Sequence, residues 1–291
     1  MGNAVIGFNL FGHEIQIDPQ RYFTVFGLTI HWYGVIITLG MLVAIIYAMR
    51  RSRAFGLTED NIIDMILVIV PLGAIGARAQ YVIFNWASFK DDPAAIFRIW
   101  EGGMAIYGGI ALAIGGMYIY TRRKKMPLAP FLDIAGLALL IAQSIGRWGN
   151  FINREVYGTP TDLPWAMYFT QNGETISAHP LFLYESLWNA VGFVILHIYS
   201  KKRKYDGQIF ALYVLWYGLA RYMLEPLRVD SVLYLFNTDI RVSQLIGILS
   251  VACAFAYMVK KVMQKPRPLY VDTVGADNRR EDGTEPTESN T

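Results

Sequence analysis

Residues 146–158, Gly-Arg-Trp-Gly-Asn-Phe-Ile-Asn-Arg-Glu-Val-Tyr-Gly, gather guanidinium, carboxylate and amide groups where an apolar stretch from Phe131 to Ile145 ends. An arginine costs about 2.5–3.5 kcal/mol at the centre of a membrane helix, so Arg147 needs a partner or a purpose at such a helix's end. Gln143 precedes it by four residues and Asn150 follows by three, which makes a polar stripe on one helical face. A second stripe carries Arg221, Glu225 and Arg228 at spacings of four and three, in a helix that holds up to Pro226. Arg78 sits in the second apolar run of the chain. A guanidinium stays protonated and offers forked donors that match phosphate oxygens. Three such groups with amides therefore suit an anion held at a membrane surface, and the anion native to that depth is a phospholipid headgroup. The plainer alternative, an Arg221–Glu225 salt bridge with Arg147 reaching toward headgroups, leaves the excess of arginine unexplained.

Other polar groups sit at the ends of apolar runs. His31-Trp32-Tyr33-Gly34 opens the first run, where aromatics also serve as interfacial anchors. Tyr107 lies among glycines in the third, His179-Pro180 precedes the fifth, and Tyr184-Glu185 lies one turn inside it. Asp133, near the start of the fourth run, suits a cap or helix-packing role.

The elements that must position these groups follow from composition. The 291 residues are 54% hydrophobic and only 17% charged, too apolar for an ordinary soluble domain. Runs long enough to cross a bilayer fall near 31–49, 62–84, 104–120, 130–147, 181–199, 208–225 and 242–259. The expectation is an all-α membrane protein of seven transmembrane helices. Basic clusters follow the odd-numbered runs: Arg50-Arg51-Ser52-Arg53, Arg122-Arg123-Lys124-Lys125, Lys201-Lys202-Arg203-Lys204 and Lys260-Lys261. The positive-inside rule then places the C-terminus in the cytoplasm and the N-terminus outside. The outer loops are 85–103, 148–180 and 226–241, forming a small external cap. Residues 89–100 are expected to lie flat as an amphipathic helix. Residues 1–265 are expected to form one membrane-embedded domain, and 266–291, polar and acidic, a disordered cytoplasmic tail.

The net charge of +3 is split into clusters and makes no nucleic-acid-binding face. Cys253 is the sole cysteine, so no internal disulfide forms, and no metal or nucleotide cofactor is expected. The N-terminus lacks the pattern of a removable signal peptide. The glycine pairs 102–103, 108–109 and 115–116 are read as sites of close helix packing.

Residues 146–158, together with His31-Trp32-Tyr33-Gly34, Trp100-Glu101-Gly102-Gly103-Met104, His179-Pro180, Tyr184-Glu185 and Arg221 with Glu225, resemble the bacterial prolipoprotein diacylglyceryl transferases. The resemblance runs in order along nearly the whole chain except the tail. It implies a multi-pass enzyme of the bacterial cytoplasmic membrane, its active site toward the outer leaflet. It further implies transfer of the diacylglyceryl group of phosphatidylglycerol to the lipobox cysteine in the signal peptides of prolipoproteins. The implied catalytic groups are Arg147, Arg221, Tyr107 and Glu155. The implied headgroup contacts are Tyr33, Asn150, Arg78, Glu225, Gly158 and His31, with Arg78 and Glu225 at less diagnostic positions.

Well-known members of the family carry a histidine where this chain has Tyr107. A tyrosine, with an ordinary pKa of about 10, accepts a thiol proton only where neighbouring guanidinium groups lower that value. An anionic lipid or solute transporter is the competing class, and the one-sided placement of the polar groups argues against it.

Overall fold

The computed structural model describes residues 6–17, 19–171, 174–229, 241–265 and 267–274. It is mostly helical, and each of the seven apolar runs forms a helix: α1 (Trp32–Arg51), α2 (Glu59–Phe84), α3 (Ile106–Arg123), α4 (Leu128–Asn153), α5 (Leu181–Ser200), α6 (Gln208–Leu224) and α7 (Val242–Met263). Among the described residues, five segments are long and apolar enough to cross a membrane: Trp32–Phe55, Glu59–Phe84, Leu128–Asn153, Leu181–Ser200 and Val242–Met263. The other two helices are marginal by that measure. α3 dilutes its 18 residues with four glycines and two arginines. α6 has 17 residues, roughly 26 Å at 1.5 Å per residue, against a hydrocarbon core of about 30 Å.

The all-α expectation needs a correction. Among the described residues are six strands: β1 (Ile6–Leu10), β2 (His13–Gln16), β3 (Tyr22–Val25), β4 (Leu28–His31), β5 (Met167–Gln171) and β6 (Glu174–Ala178). They form an antiparallel sheet in the order β2-β1-β5-β6 and a separate β3–β4 hairpin. Both N-terminal hairpins turn on two residues with positive φ, Phe11 (52°) with Gly12 (88°) and Phe26 (50°) with Gly27 (79°). That pair of left-handed residues is the tight turn whose twist matches its flanking strands. Phenylalanine in place of the usual asparagine or aspartate masks the signal in the sequence.

The chain divides into two compact units, Met1–Ala48 with Asp133–Pro268, and Met49–Leu132 with Leu269–Thr291. The divisions fall in the last turn of α1 and the first of α4. In the first unit, the four-stranded sheet closes over the end of α4 and the start of α5 through a core of Ile6, Phe151, Met167, Ala178 and Phe182. Phe151 stacks on Phe182 at 4.7 Å and on Phe8 at 5.7 Å between centroids. α4 and α6 pack together as their facing polar stripes suggest. Gly136 lies against Phe210 and Tyr213, and the Gln143 amide donates to the Tyr213 hydroxyl at 3.0 Å. Fully buried Asp133 accepts from the backbone N–H groups of Gly207 (2.8 Å) and Phe210 (2.9 Å). It therefore caps α6 from a neighbouring helix and satisfies donors that helix geometry leaves open.

The second unit is built on α2 and α3. A side chain on Gly76 would meet the Gly108 carbonyl at 2.3 Å, and one on Gly108 would meet the Gly76 carbonyl at the same distance. The two backbones touch there, the small-residue packing that holds helices together in lipid. Of the other glycine pairs, 102–103 makes a left-handed turn with φ of 91° and 77°. Residues 89–100 are not one amphipathic helix. Pro93 and the turns around it break them into short 3-10 segments, Pro93–Phe97 and Ile99–Glu101. In this stretch Arg98 donates to Asp92 at 2.5 Å, and that bond holds the exposed carboxyl below the ordinary carboxylate range. Within the expected tail, Tyr270 and Val271 pack on Gly56, and the span 275–291 lies outside the described residues.

Candidate active site

The glycines of the 146–158 run shape its first half. Gly146 and Gly149 lie on the stripe of α4 that faces α1, where added side chains would sit 3.1 Å from Ile37 and 3.0 Å from Tyr33. Their bareness lets α1 approach, while Arg147 and Asn150 project from the neighbouring stripe. Arg147 pairs with the buried Glu185 of α5, and its guanidinium lies 3.5 Å from the Asn150 side-chain oxygen.

The second half of the run ends the helix. The N–H of Arg154 bonds the Phe151 carbonyl (3.0 Å) and the N–H of Glu155 reaches back to Asn150 (2.9 Å). This is the paired bonding of a Schellman cap, with Arg154 at its left-handed position, φ 60°. Val156 is left-handed again at φ 58°. The chain then passes Gly158, whose N–H donates to the His179 carbonyl at 2.9 Å and which forms a bridge to Arg228. A side chain on Gly158 would come within 2.6 Å of His179, so only glycine allows the bridge.

The result is a cavity of about 540 Å³ lined by Tyr33, Arg147, Asn150, Arg154, Glu155, Val156, Tyr157 and Arg228. The expected Tyr33, Arg147, Asn150 and Glu155 thus share one wall system, and Gly158 sets its edge through Arg228. Arg154, Tyr157 and Arg228 went unassigned in the sequence reading. Arg154 and Tyr157 lie inside the polar run itself, and Arg228 stacks three residues beyond Glu225, so their signal was proximity rather than residue type.

Glu185 links this cavity to a narrow hollow, which it lines together with Trp188, Asn189, Tyr217, Ala220, Arg221 and Leu224. There the Arg221 guanidinium donates to Glu225 (3.2 Å) and to the Tyr217 hydroxyl (3.2 Å). Glu225 also accepts from the Ser243 hydroxyl at 2.5 Å, and its backbone carbonyl accepts from Arg241. Each expected catalytic arginine is therefore held by a buried carboxylate, Arg147 beside the open cavity and Arg221 beside the narrow hollow. A guanidinium fixed beside open volume, as Arg147 is, is suited to stabilising negative charge.

A family model for prolipoprotein diacylglyceryl transferase matches residues 20–260. The chain belongs to that family. It is 40% identical over 239 residues to the phosphatidylglycerol--prolipoprotein diacylglyceryl transferase of Finegoldia magna, covering 82% of this chain and 94% of that protein. Identity to the protein of the same name from Clostridioides difficile is 37%, covering 82% and 95%. For that of Streptococcus equi subsp. zooepidemicus it is 40% over 244 residues, covering 82% and 93%.

Two of the residues that the resemblance implied as headgroup contacts lie outside the lining of that cavity. Arg78 is 7% exposed, and all its donor groups meet backbone carbonyls: Nε on Ile96 (2.8 Å), Nη1 on Gly102 (2.6 Å) and Gly103 (2.9 Å), Nη2 on Ala95 (2.6 Å) and Arg98 (3.4 Å). A guanidinium has five N–H donors, so none remains for a headgroup. His31 is not among the residues lining the cavity. It ends β4 opposite Tyr22, with the ring centroids 5.8 Å apart. Tyr107, in the second unit, stands half-exposed in the first turn of α3.

Proposed function

We propose that the protein transfers the diacylglyceryl group of phosphatidylglycerol to the lipobox cysteine of prolipoproteins, the activity in its relatives' names. The cysteine sulfur forms a bond to the glyceryl carbon as that carbon's bond to a phosphate oxygen breaks. The thiol proton passes to a base, and glycerol phosphate leaves with the electron pair. The observation that carries this reading is the cavity at the end of α4, where Tyr33, Arg147, Asn150 and Glu155 converge.

Arg147 and Arg221 bind the phosphoryl oxygens and stabilise the departing charge. Tyr33 and Asn150 orient the headgroup through neutral hydrogen bonds, Glu155 borders the same space, and Glu225 holds Arg221 in place. Tyr107 is the proton acceptor proposed for the thiol, since thiolate is the reactive nucleophile. All seven helices cross the bacterial cytoplasmic membrane. Basic residues close the last turns of α1, α3 and α7, which supports their cytoplasmic placement and a site at the outer leaflet.

Purified protein incubated with phosphatidylglycerol and a lipobox peptide is expected to raise the peptide's mass by one diacylglyceryl group. An unmodified peptide, with the protein folded and lipid present, contradicts the reading.

A further inference from the structure

α5 and α6 are joined by a reciprocal pair of tryptophans. The Trp188 indole N–H donates to the Trp216 carbonyl at 3.1 Å, and the Trp216 indole N–H donates to the Trp188 carbonyl at 3.0 Å. The two rings stack with their centroids 4.6 Å apart. Gly192 leaves room for the exchange, since a side chain there would meet the Trp216 indole nitrogen at 2.3 Å.

α4 and α5 are joined in the same manner by smaller residues. The Ser144 hydroxyl donates to the Ser186 carbonyl at 3.0 Å, and the Ser186 hydroxyl donates to the Ser144 carbonyl at 2.8 Å. The Trp148 N–H completes this second clasp by donating to the Ser186 hydroxyl at 3.2 Å.

Apolar packing alone does not account for these clasps. Lipid tails are as apolar as the helix faces, so burial gives no preferred register between helices in a membrane. An indole or a hydroxyl has one hydrogen to donate, and here each goes to a single main-chain carbonyl of the other helix. A slip by one residue moves that carbonyl about 1.5 Å along the axis and strains both bonds of a clasp together.

The groups held in register are charged. Glu185, the partner of Arg147, is next to Ser186 and three residues before Trp188. Arg221 bonds the hydroxyl of Tyr217, which is next to Trp216. Glu185, Trp188, Tyr217 and Arg221 line one hollow. Along the helix axes, the tryptophan clasp stands about 5 Å from Glu185 and about 8 Å from Arg221.

We infer that the two clasps fix the register of α4, α5 and α6, and that Trp188 and Trp216 are positioning residues that set Arg221 against Glu185 and Arg147. The inference rests on both arginines acting on the phosphodiester as proposed above, where a misplacement of about 1 Å lowers turnover by on the order of a hundredfold.

The test uses the full-length protein with phosphatidylglycerol and a lipobox peptide, with lipidation read by mass. Replacing Trp216 with 3-benzothienylalanine puts a sulfur where the indole N–H was, which keeps the ring and removes one bond of the clasp. kcat should fall about tenfold while KM stays within about twofold, the pattern of an interaction lost in the transition state. The unfolding temperature should drop by only a few degrees, the size of one lost hydrogen bond. Gly192→Ala displaces the Trp216 ring from a residue that does not line the hollow, and it should give the same split.

A double-mutant cycle separates positioning from folding. In an Arg221→Ala protein the clasp has no guanidinium to position, so the Trp216 replacement should lower the residual turnover by less than about twofold. Equal losses in the two backgrounds make the clasp merely structural and overturn the inference. So does a kcat within about twofold of the original in either folded variant. Normal turnover by Arg221→Ala alone overturns the role proposed for that arginine, and the inference falls with it.

Discussion

Arginine is put to two uses in this molecule. In the second unit, Arg78 spends its donors on five backbone carbonyls of residues 95–103 and lies under Phe89, 5.2 Å from the ring centroid. In the first unit, Arg147 and Arg221 each meet a carboxylate, Arg147 beside an open cavity and Arg221 beside a narrow hollow. Carbonyls saturate a guanidinium geometrically while leaving its charge in place, so Arg78 works as a clamp that shapes the loop before α3. A carboxylate balances the charge and fixes the orientation while leaving donors for an incoming anion. Burial of an arginine therefore says little about its role, and the type of its partners says much.

Substitutions can break this contrast. Arg147→Ala and Arg221→Ala should each lower lipidation by about a hundredfold or more, on the scale of losing a preorganised oxyanion donor. Both proteins should still insert into membranes and unfold cooperatively, as scored by peptide mass and detergent-phase unfolding. Arg78→Ala should act mainly on stability, by about 3 kcal/mol, since it orphans several buried carbonyls. Limited proteolysis should then cut within residues 93–103. If Arg78→Ala instead keeps its stability and loses only affinity for lipid, the contrast is wrong.

Two smaller effects sharpen it. Glu225→Gln keeps a partner for the Ser243 hydroxyl but removes the charge that holds Arg221, and turnover should fall about tenfold. Tyr107→Phe isolates one hydroxyl. A drop that shrinks as the pH of the assay rises identifies it as the thiol's proton acceptor, and full activity at every pH excludes it.

The helices were legible because a membrane demands length and apolarity, which α1, α2, α4, α5 and α7 display in full and α3 and α6 more weakly. The strands were hidden. Their turns use Phe11-Gly12 and Phe26-Gly27, and β1 pairs with β5 across some 160 residues, a partnership no local pattern reveals. Around the cavity, Arg147 and Asn150 were readable because helical spacing placed them together, and Glu155 and Tyr33 through the family resemblance. For Arg78 the sequence shows a cation among apolar residues and not the carbonyls that the Gly102-Gly103 turn delivers to it.

The central claim is that the cavity at the end of α4 holds the phosphodiester headgroup. Replacing Tyr157, which lines it, with a benzophenone-bearing phenylalanine and irradiating the protein in phosphatidylglycerol vesicles tests this directly. The account predicts a protein–phosphatidylglycerol adduct that glycerol phosphate suppresses and that Leu187, exposed on α5, does not give in a suppressible form when replaced in the same way. An adduct equal at both positions, or one that glycerol phosphate leaves untouched, would contradict it.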